Sequence, residues 1–320
     1  MAIYTQLQES GIWEIAASYD LTMVDYEPIA AGAGNSNYLV WAQQGTYVLT
    51  VFEDTTHALT VEHGQLLSLL KEYAFPSPRP LVTVNGEMAI AHNDKPVMMK
   101  EYVAGHVCGY PDKTMLYQVG TAMAKLHQVP WPDVLSIRGP YGVQKLSSIQ
   151  GQRINSEYEG WIAKRLSYLE QQKPQGLPRG LIHGDMFYDN VLFEGTRLKA
   201  IIDFEDASCD DKIFDLGMAI VGLCREGQGV VLEKARALVK GYEQIRELED
   251  GEKNALQLYV EYAAVTVSCW RYWKYHIDAP SVENADNHWQ MVRVAEGVQA
   301  IPKAGFLEMV FGGVVSLPVS

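Results

Sequence analysis

The chain has 320 residues, 48% hydrophobic and 20% charged, and its 26 basic against 39 acidic side chains give a formal net charge of −13. That length predicts two domains, or two lobes sharing one site, with a composition ordinary for a globular enzyme. So acidic a chain, without any Lys/Arg run, repels nucleic acid and excludes it as a partner.

The first hundred residues read as strand-rich. Ile29 to Ala31 closes a first strand and Tyr38 to Ala42 forms a second, with Gly32-Ala33-Gly34-Asn35-Ser36-Asn37 between them. Thr46 to Phe52, β-branched or aromatic in alternation, predicts a third. A helix is expected over 56–73, with Leu59, Leu66, Leu67, Leu69 and Leu70 on its apolar face and Pro76, Pro78 and Pro80 ending it. Leu81 to Val84 and Glu87 to Ala91 flank Asn85-Gly86, the dipeptide of a type I′ turn, and predict a hairpin. Pro96 to Met99 is the last strand expected in this part.

From Pro111, a residue suited to the first helical position, the pattern turns helical, with Leu116, Val119, Met123, Leu126 and His127 at helical spacing. Further helices are expected over 156–172, 230–248, 254–275 and 287–298. Short β segments at 181–183, 191–193 and 198–204 interrupt them. There is no internal repeat. The expectation is an α+β chain with a β-rich N-terminal lobe over 1–102 and a mainly helical C-terminal lobe over 103–320, joined through Lys100 to Gly105.

The N-terminus lacks the basic and apolar regions of a signal peptide, and no apolar run reaches the roughly 18 residues of a membrane span. The tail from Phe306 to Val319 is broken by Glu308, Gly312, Gly313 and Pro318 and is expected to pack on the body. Cys108, Cys209, Cys224 and Cys269 form no C-x-x-C pair and read as reduced thiols of a cytoplasmic protein.

One stretch carries chemistry: His183-Gly184-Asp185-Met186-Phe187-Tyr188-Asp189-Asn190, followed by Ala200-Ile201-Ile202-Asp203-Phe204. Phosphoryl transfer needs a carboxylate to align an acceptor hydroxyl and take its proton, and oxygen ligands to hold Mg²⁺ against the phosphates of ATP. Asp185 is the candidate base, and Asn190 and Asp203 the candidate metal ligands. A carboxylate closing an apolar strand is costly unless it meets a cation, which favours the metal role for Asp203. His183 is expected to organise the loop. Asp215 either caps the next helix or anchors the loop. Backbone N–H groups around Gly32 and Gly34, with Ser36 and Asn37, are candidates to hold the nucleotide phosphates. Linker backbone from Glu101 to Val103 is the candidate adenine edge.

These motifs, with Gly120-Thr121-Ala122-Met123-Ala124-Lys125-Leu126-His127 upstream, resemble the aminoglycoside phosphotransferase and choline kinase superfamily. The resemblance implies a two-lobed protein-kinase-like fold and ATP with Mg²⁺. Within the superfamily, Met1 to Thr5, Tyr19-Asp20-Leu21, Gly32 to Leu39 and Tyr47 to Glu53 are similar to the kinase-fold type of bacterial homoserine kinase, which implies phosphorylation of the L-homoserine hydroxyl in threonine biosynthesis.

Two departures stand out. Most relatives carry a lysine on the third strand where this chain has Thr50; the homoserine kinases share a threonine there, and Lys100 or a second Mg²⁺ is left to supply the charge, with Glu62 the helix acid that would pair such a lysine. Phe204-Glu205-Asp206-Ala207-Ser208 reads like the wider superfamily; Glu205 and Asp206 either bind a substrate ammonium or are loop acids. Arg271, in Cys269-Trp270-Arg271-Tyr272-Trp273, either grips a carboxylate or belongs to the core. Other small-alcohol kinases, of choline-like, sugar or aminoglycoside type, and a non-catalytic nucleotide-binding protein remain as alternatives.

Overall fold

The computed structural model describes residues 5–29, 34–132, 135 and 143–312. Contacts divide the chain into two units. One is built mainly from the first 105 residues with short returns at 132–136 and 199–202, the other from the remainder.

The first unit starts with a helix that the strand-rich expectation lacks, α1 (Glu9–Ser18). Ile12, Ile15, Ala16 and Tyr19 recur at helical spacing and are all buried. β1 (Met23–Ile29), β2 (Ser36–Ala42), β3 (Gly45–Val51), α2 (His57–Glu72), β4 (Ile90–His92) and β5 (Lys95–Glu101) follow. The five strands form one antiparallel sheet in the order β1-β2-β3-β5-β4. Tyr38, Val40, Leu49, Val51, Val97 and Met99 share the face that packs on α1. The other face meets α2, where a Cβ on Gly64 would touch Met98 Cε at 3.0 Å. Thr56 caps α2, its side chain accepting the Leu59 N–H at 3.3 Å.

The hairpin expected around Asn85-Gly86 lies elsewhere. Asn85-Gly86 makes a tight turn closed by Thr83 N–H to the Glu87 carbonyl at 2.8 Å, but no ladder flanks it. The segment before it is drawn away: Leu81 N–H donates to the Met99 carbonyl and Glu101 N–H to the Arg79 carbonyl. The hairpin joins β4 to β5 through Asn93 and Asp94, both at positive φ (49° and 64°) as a type I′ turn requires.

The second unit holds β6 (His106–Val107), α3 (Lys113–Leu126), α4 (Leu146–Ile149), α5 (Ser156–Gln172), β7 (Arg179–Ile182), β8 (Val191–Glu194), β9 (Arg197–Ile201), whose last residues fall in the first unit, β10 (Ser208–Asp211), α6 (Lys212–Leu223), β11 (Arg225–Glu226), β12 (Gly229–Val230), α7 (Leu232–Glu243), α8 (Asp250–Trp273), a π turn over 274–278, α9 (Asn287–Ala300) and α10 (Lys303–Phe311). α6 is its hydrophobic axis, buried from Ile213 to Leu223. α3 and α7 cross with backbones nearly touching: a Cβ on Gly120 would lie 1.9 Å from the Leu238 carbonyl oxygen, and one on Gly241 1.9 Å from that of Tyr117. Among the described residues no helix is long and apolar enough to cross a membrane. The four cysteines are unpaired. Of the expected packed tail, 306–311 is helix and 313–320 lies outside the described residues.

Candidate active site

Strand pairing assembles the site. β7 and β10 run antiparallel with Ile182 opposite Ser208. The loop that leaves β7, His183 to Asn190, therefore lies beside the segment that enters β10, Asp203 to Ala207. Gly184 sits where the two touch. Its φ is 86°, and a Cβ there would lie 2.5 Å from the Asp206 carbonyl oxygen, so glycine alone fits.

Asp215, fully buried in the first turn of α6, holds this loop from below. Its Oδ2 accepts the His183 N–H and its Oδ1 the Gly184 N–H, both at 2.8 Å. Oδ2 also meets His127 Nε2 at 3.1 Å, while His127 Nδ1 meets the Tyr242 hydroxyl at 2.7 Å. Arg246 donates to that hydroxyl oxygen at 3.1 Å and grips Glu252 with both Nη atoms at 3.0 and 2.9 Å. The network assigns the tautomer: His127 Nε2–H donates to Asp215, and Nδ1 accepts from Tyr242. Burial by itself raises the Asp215 pKa, but the bonds from His127 and His183 outweigh it and hold the carboxylate below its ordinary 3.8. Burial holds the His127 imidazole below its ordinary 6.5 despite Asp215. The pair is thus an ionised carboxylate and a neutral imidazole. Asp215 anchors the loop and does not cap α6, whose N-cap residue is Asp211.

Within the loop, Asn190 Nδ2 donates to the Asp185 backbone carbonyl at 2.8 Å and to Asp185 Oδ2 at 3.0 Å. One amide thus fixes both the turn and the carboxylate, and Asn190 Oδ1 has no partner among the described residues. Asp185 N–H donates to His183 Nδ1 at 3.2 Å, and the His183 ring stands edge-on to Phe204. Asp203 differs from the buried, strand-closing carboxylate expected: β9 ends at Ile201, and Asp203 is exposed with φ 66°. Left-handed backbone is uncommon for a residue with a Cβ and turns this side chain out of the strand direction. Asp185 is partly solvent-accessible, yet desolvation is the largest cause pushing its pKa well above 3.8, followed by Asp206, Asp203 and Asp189, with Asn190 opposing. Four carboxylates sharing one field favour a bound cation.

The phosphotransferase enzyme family pattern matches residues 25–248. The homoserine kinase of Sinorhizobium fredii is 32% identical over 268 residues, covering 81% of this chain and 82% of that one. The chain belongs to the phosphotransferase enzyme family. Among solved structures, an amicoumacin kinase in complex with AMP-PNP and Ca²⁺ superimposes with a TM-score of 0.73 at 15% identity, covering 93% of this chain and 95% of that one. A choline kinase from Streptococcus pneumoniae does so at 0.66 and 20% identity, with 92% and 99% covered. The phosphotransferase therefore has the protein-kinase-like fold, a sheet-rich N-terminal part followed by a helical C-terminal part.

In the sheet-rich part of the phosphotransferase, Gly32 lies outside the described residues. Gly34 is exposed, with open space where a Cβ would be. Ser36 is a correction to the phosphate-donor expectation: its side chain is fully buried and donates to Glu53 Oε1 at 2.5 Å while accepting the Thr5 N–H at 3.0 Å. Glu53 also pairs with Lys95 and accepts from Thr5 Oγ1 at 2.9 Å, so this cluster ties down the base of the loop. Asn37 faces Thr50 across the ladder, and the Thr50 hydroxyl donates to its Oδ1 at 2.7 Å. The Asn37 amide N–H groups are left as donors. Glu101 and Tyr102 give their N–H groups to the Arg79 and Thr46 carbonyls, so of the three linker residues Val103 has the N–H with no backbone partner among those described.

Glu205 and Asp206 are both half-buried, and Asp206 belongs to the acidic field around Asp185. Arg271 Nη1 donates to the Asn287 carbonyl at 3.2 Å and to Gln290 Oε1 at 2.9 Å, both on α9. Two contributors escaped the sequence reading. Asp189, adjacent to Asn190, was visible as a third acid in the motif. Of the His127–Tyr242 pair behind Asp215, the sequence singled out only His127, by its helical spacing and as the end of the Gly120-to-His127 motif.

Proposed function

We propose that this phosphotransferase transfers the γ-phosphoryl group of ATP to the side-chain hydroxyl of L-homoserine, giving O-phospho-L-homoserine and ADP, with Mg²⁺ bound. The bond between Asn190 and the Asp185 carboxylate, beside Asp203, carries the phosphoryl-transfer reading. The homoserine kinase relatives carry the choice of acceptor. Asp185 aligns the acceptor hydroxyl, whose oxygen attacks the γ-phosphorus as the bond to the β–γ bridging oxygen breaks. Its carboxylate takes the hydroxyl proton late in the step.

Among the described residues no group of three or more His, Cys, Asp and Glu is arranged to hold a metal by itself. Asp203 and Asn190 Oδ1, completed by phosphate oxygens and water, are the kind of oxygen set that Mg²⁺ takes. Mg²⁺ supplies neutralisation of phosphate charge. On the nucleotide side we assign the loop backbone near Gly34, the Asn37 amide and the Val103 N–H. Lys100 fits the charge that Thr50 lacks: it stands on the sheet face of Thr50 and Met98, its Nζ 5.9 Å from the Phe52 ring centre.

Purified protein with ATP and Mg²⁺ is expected to release ADP with L-homoserine and at least tenfold less with choline, sugars or aminoglycosides, read in a coupled assay. A clear preference for any of the others would remove homoserine while leaving the kinase chemistry. Asp203→Ala is expected to weaken Mg²⁺–ATP binding by roughly tenfold or more, as loss of a charged ligand predicts, and an unchanged calorimetric affinity would count against its metal role.

A further inference from the structure

Arg225 forms no ion pair among the described residues. It lies on β11, three residues beyond Gly222, and is partly buried. Its Nε donates to the Val221 carbonyl at 2.7 Å, and that is its one hydrogen bond among those residues. Both Nη atoms are left over, in a setting where burying a cation without a partner is costly.

Its place in the fold is fixed by close packing. A Cβ on Gly222 would lie 2.2 Å from the Met186 carbonyl oxygen and 2.8 Å from Phe187 Cα, so the end of α6 is pressed on the loop that carries Asp185. β11 pairs with β12, Arg225 opposite Val230, and β12 packs on α9. α9 is the helix to which Arg271 is bonded through Asn287 and Gln290. Two arginines from distant parts of the chain thereby come near the catalytic loop, and Arg225 gives its one side-chain hydrogen bond to a neutral oxygen. Desolvation and then the Arg271 charge lower the Arg225 pKa, so the two guanidiniums sense each other; Tyr188 and Tyr110 oppose the shift. Two cations held within reach of one another favour an anion between them.

We propose that Arg225, together with Arg271, is the carboxylate-binding element of the acceptor site, which makes the acceptor an amino acid. This rests on the phosphoryl-transfer reading of the neighbouring loop. The planar guanidinium fork matches a carboxylate with two parallel bonds.

The test uses Arg225→Gln, Arg225→Lys and Arg271→Gln in the full chain, with thermal melting to verify folding. Two measurements separate the proposal from the choice of homoserine. The first is the KM for L-homoserine against that for 3-aminopropan-1-ol, which lacks the carboxylate. The second is calorimetric binding of L-2-aminobutyrate, which has the carboxylate but no hydroxyl. Arg225→Gln is expected to raise the homoserine KM roughly tenfold to a hundredfold, with kcat changed less than threefold and the aminopropanol KM unchanged. It should weaken L-2-aminobutyrate binding by the same factor, with Arg225→Lys intermediate. If homoserine is a poor substrate but L-2-aminobutyrate binds the wild type and not Arg225→Gln, the arginine assignment stands and homoserine falls. If homoserine is turned over with an unchanged KM in Arg225→Gln, homoserine stands and the arginine assignment is overturned. L-2-aminobutyrate binding that is equal in both proteins, or detected in neither, overturns it as well.

Discussion

Replacing Asp185 by Asn is expected to lower kcat by about 10³-fold, within the range by which positioned general bases act, while ATP affinity changes less than threefold. The substitution keeps the size of the side chain. Asn190 Nδ2 retains its bond to the residue 185 backbone carbonyl and can still donate to an amide oxygen at that position, so the loop is preserved. What is lost, on the proposed mechanism, is the proton acceptor. Single-turnover measurement of phosphoryl transfer separates this from slow product release, and full activity in Asp185→Asn would remove the residue as the base.

Asp215→Ala is expected to cost about 3–5 kcal/mol, the range for removing one partner from a buried charged network, which for a chain of this size lowers Tm on the order of 10 °C. Three donors lose their acceptor together: the His183 and Gly184 N–H groups and His127 Nε2–H. None is reachable by water without opening the loop, since His127, His183 and Asp215 are all buried. The effect has a defined pH dependence. Because Asp215 has its folded-state pKa below 3.8, its contribution is complete above that pH and disappears as pH falls through the lower folded value. The Tm difference between wild type and Asp215→Ala is therefore expected to be constant near neutral pH and to shrink below about pH 3.8. His127 adds an acid sensitivity of the same sign: neutral in the fold, it resists a proton that the unfolded chain takes up below pH 6.5. A pH-independent difference across that range would mean that Asp215 acts through packing alone.

Local rules made much of the chain readable. α2 spans 57–72 with Thr56 at its N-cap, and β2 and α5 fall close to where strand patterning and helical spacing put them. The hairpin around Asn85-Gly86 shows where local rules stop. The dipeptide turns the chain as its conformational preference demands, but whether a ladder forms beside it depends on which strand offers partners, and β5 takes residues 79–81. Ser36 shows the same limit at the site. A serine beside a glycine loop reads as a phosphate donor until its hydroxyl is found buried against Glu53.

By itself the sequence determined the chemistry available: an Asp, an Asn five residues on, and a second Asp after an apolar strand specify an oxygen-rich loop suited to phosphoryl transfer. Tertiary structure alone decided which charges meet. Asp215 became a loop anchor because α6 carries it under the His183 and Gly184 amides, and Arg225 stands near Arg271 because β12 joins β11 to α9. Electrostatic energy depends on distance and desolvation, and both are set by packing between segments up to a hundred residues apart, which no local pattern records.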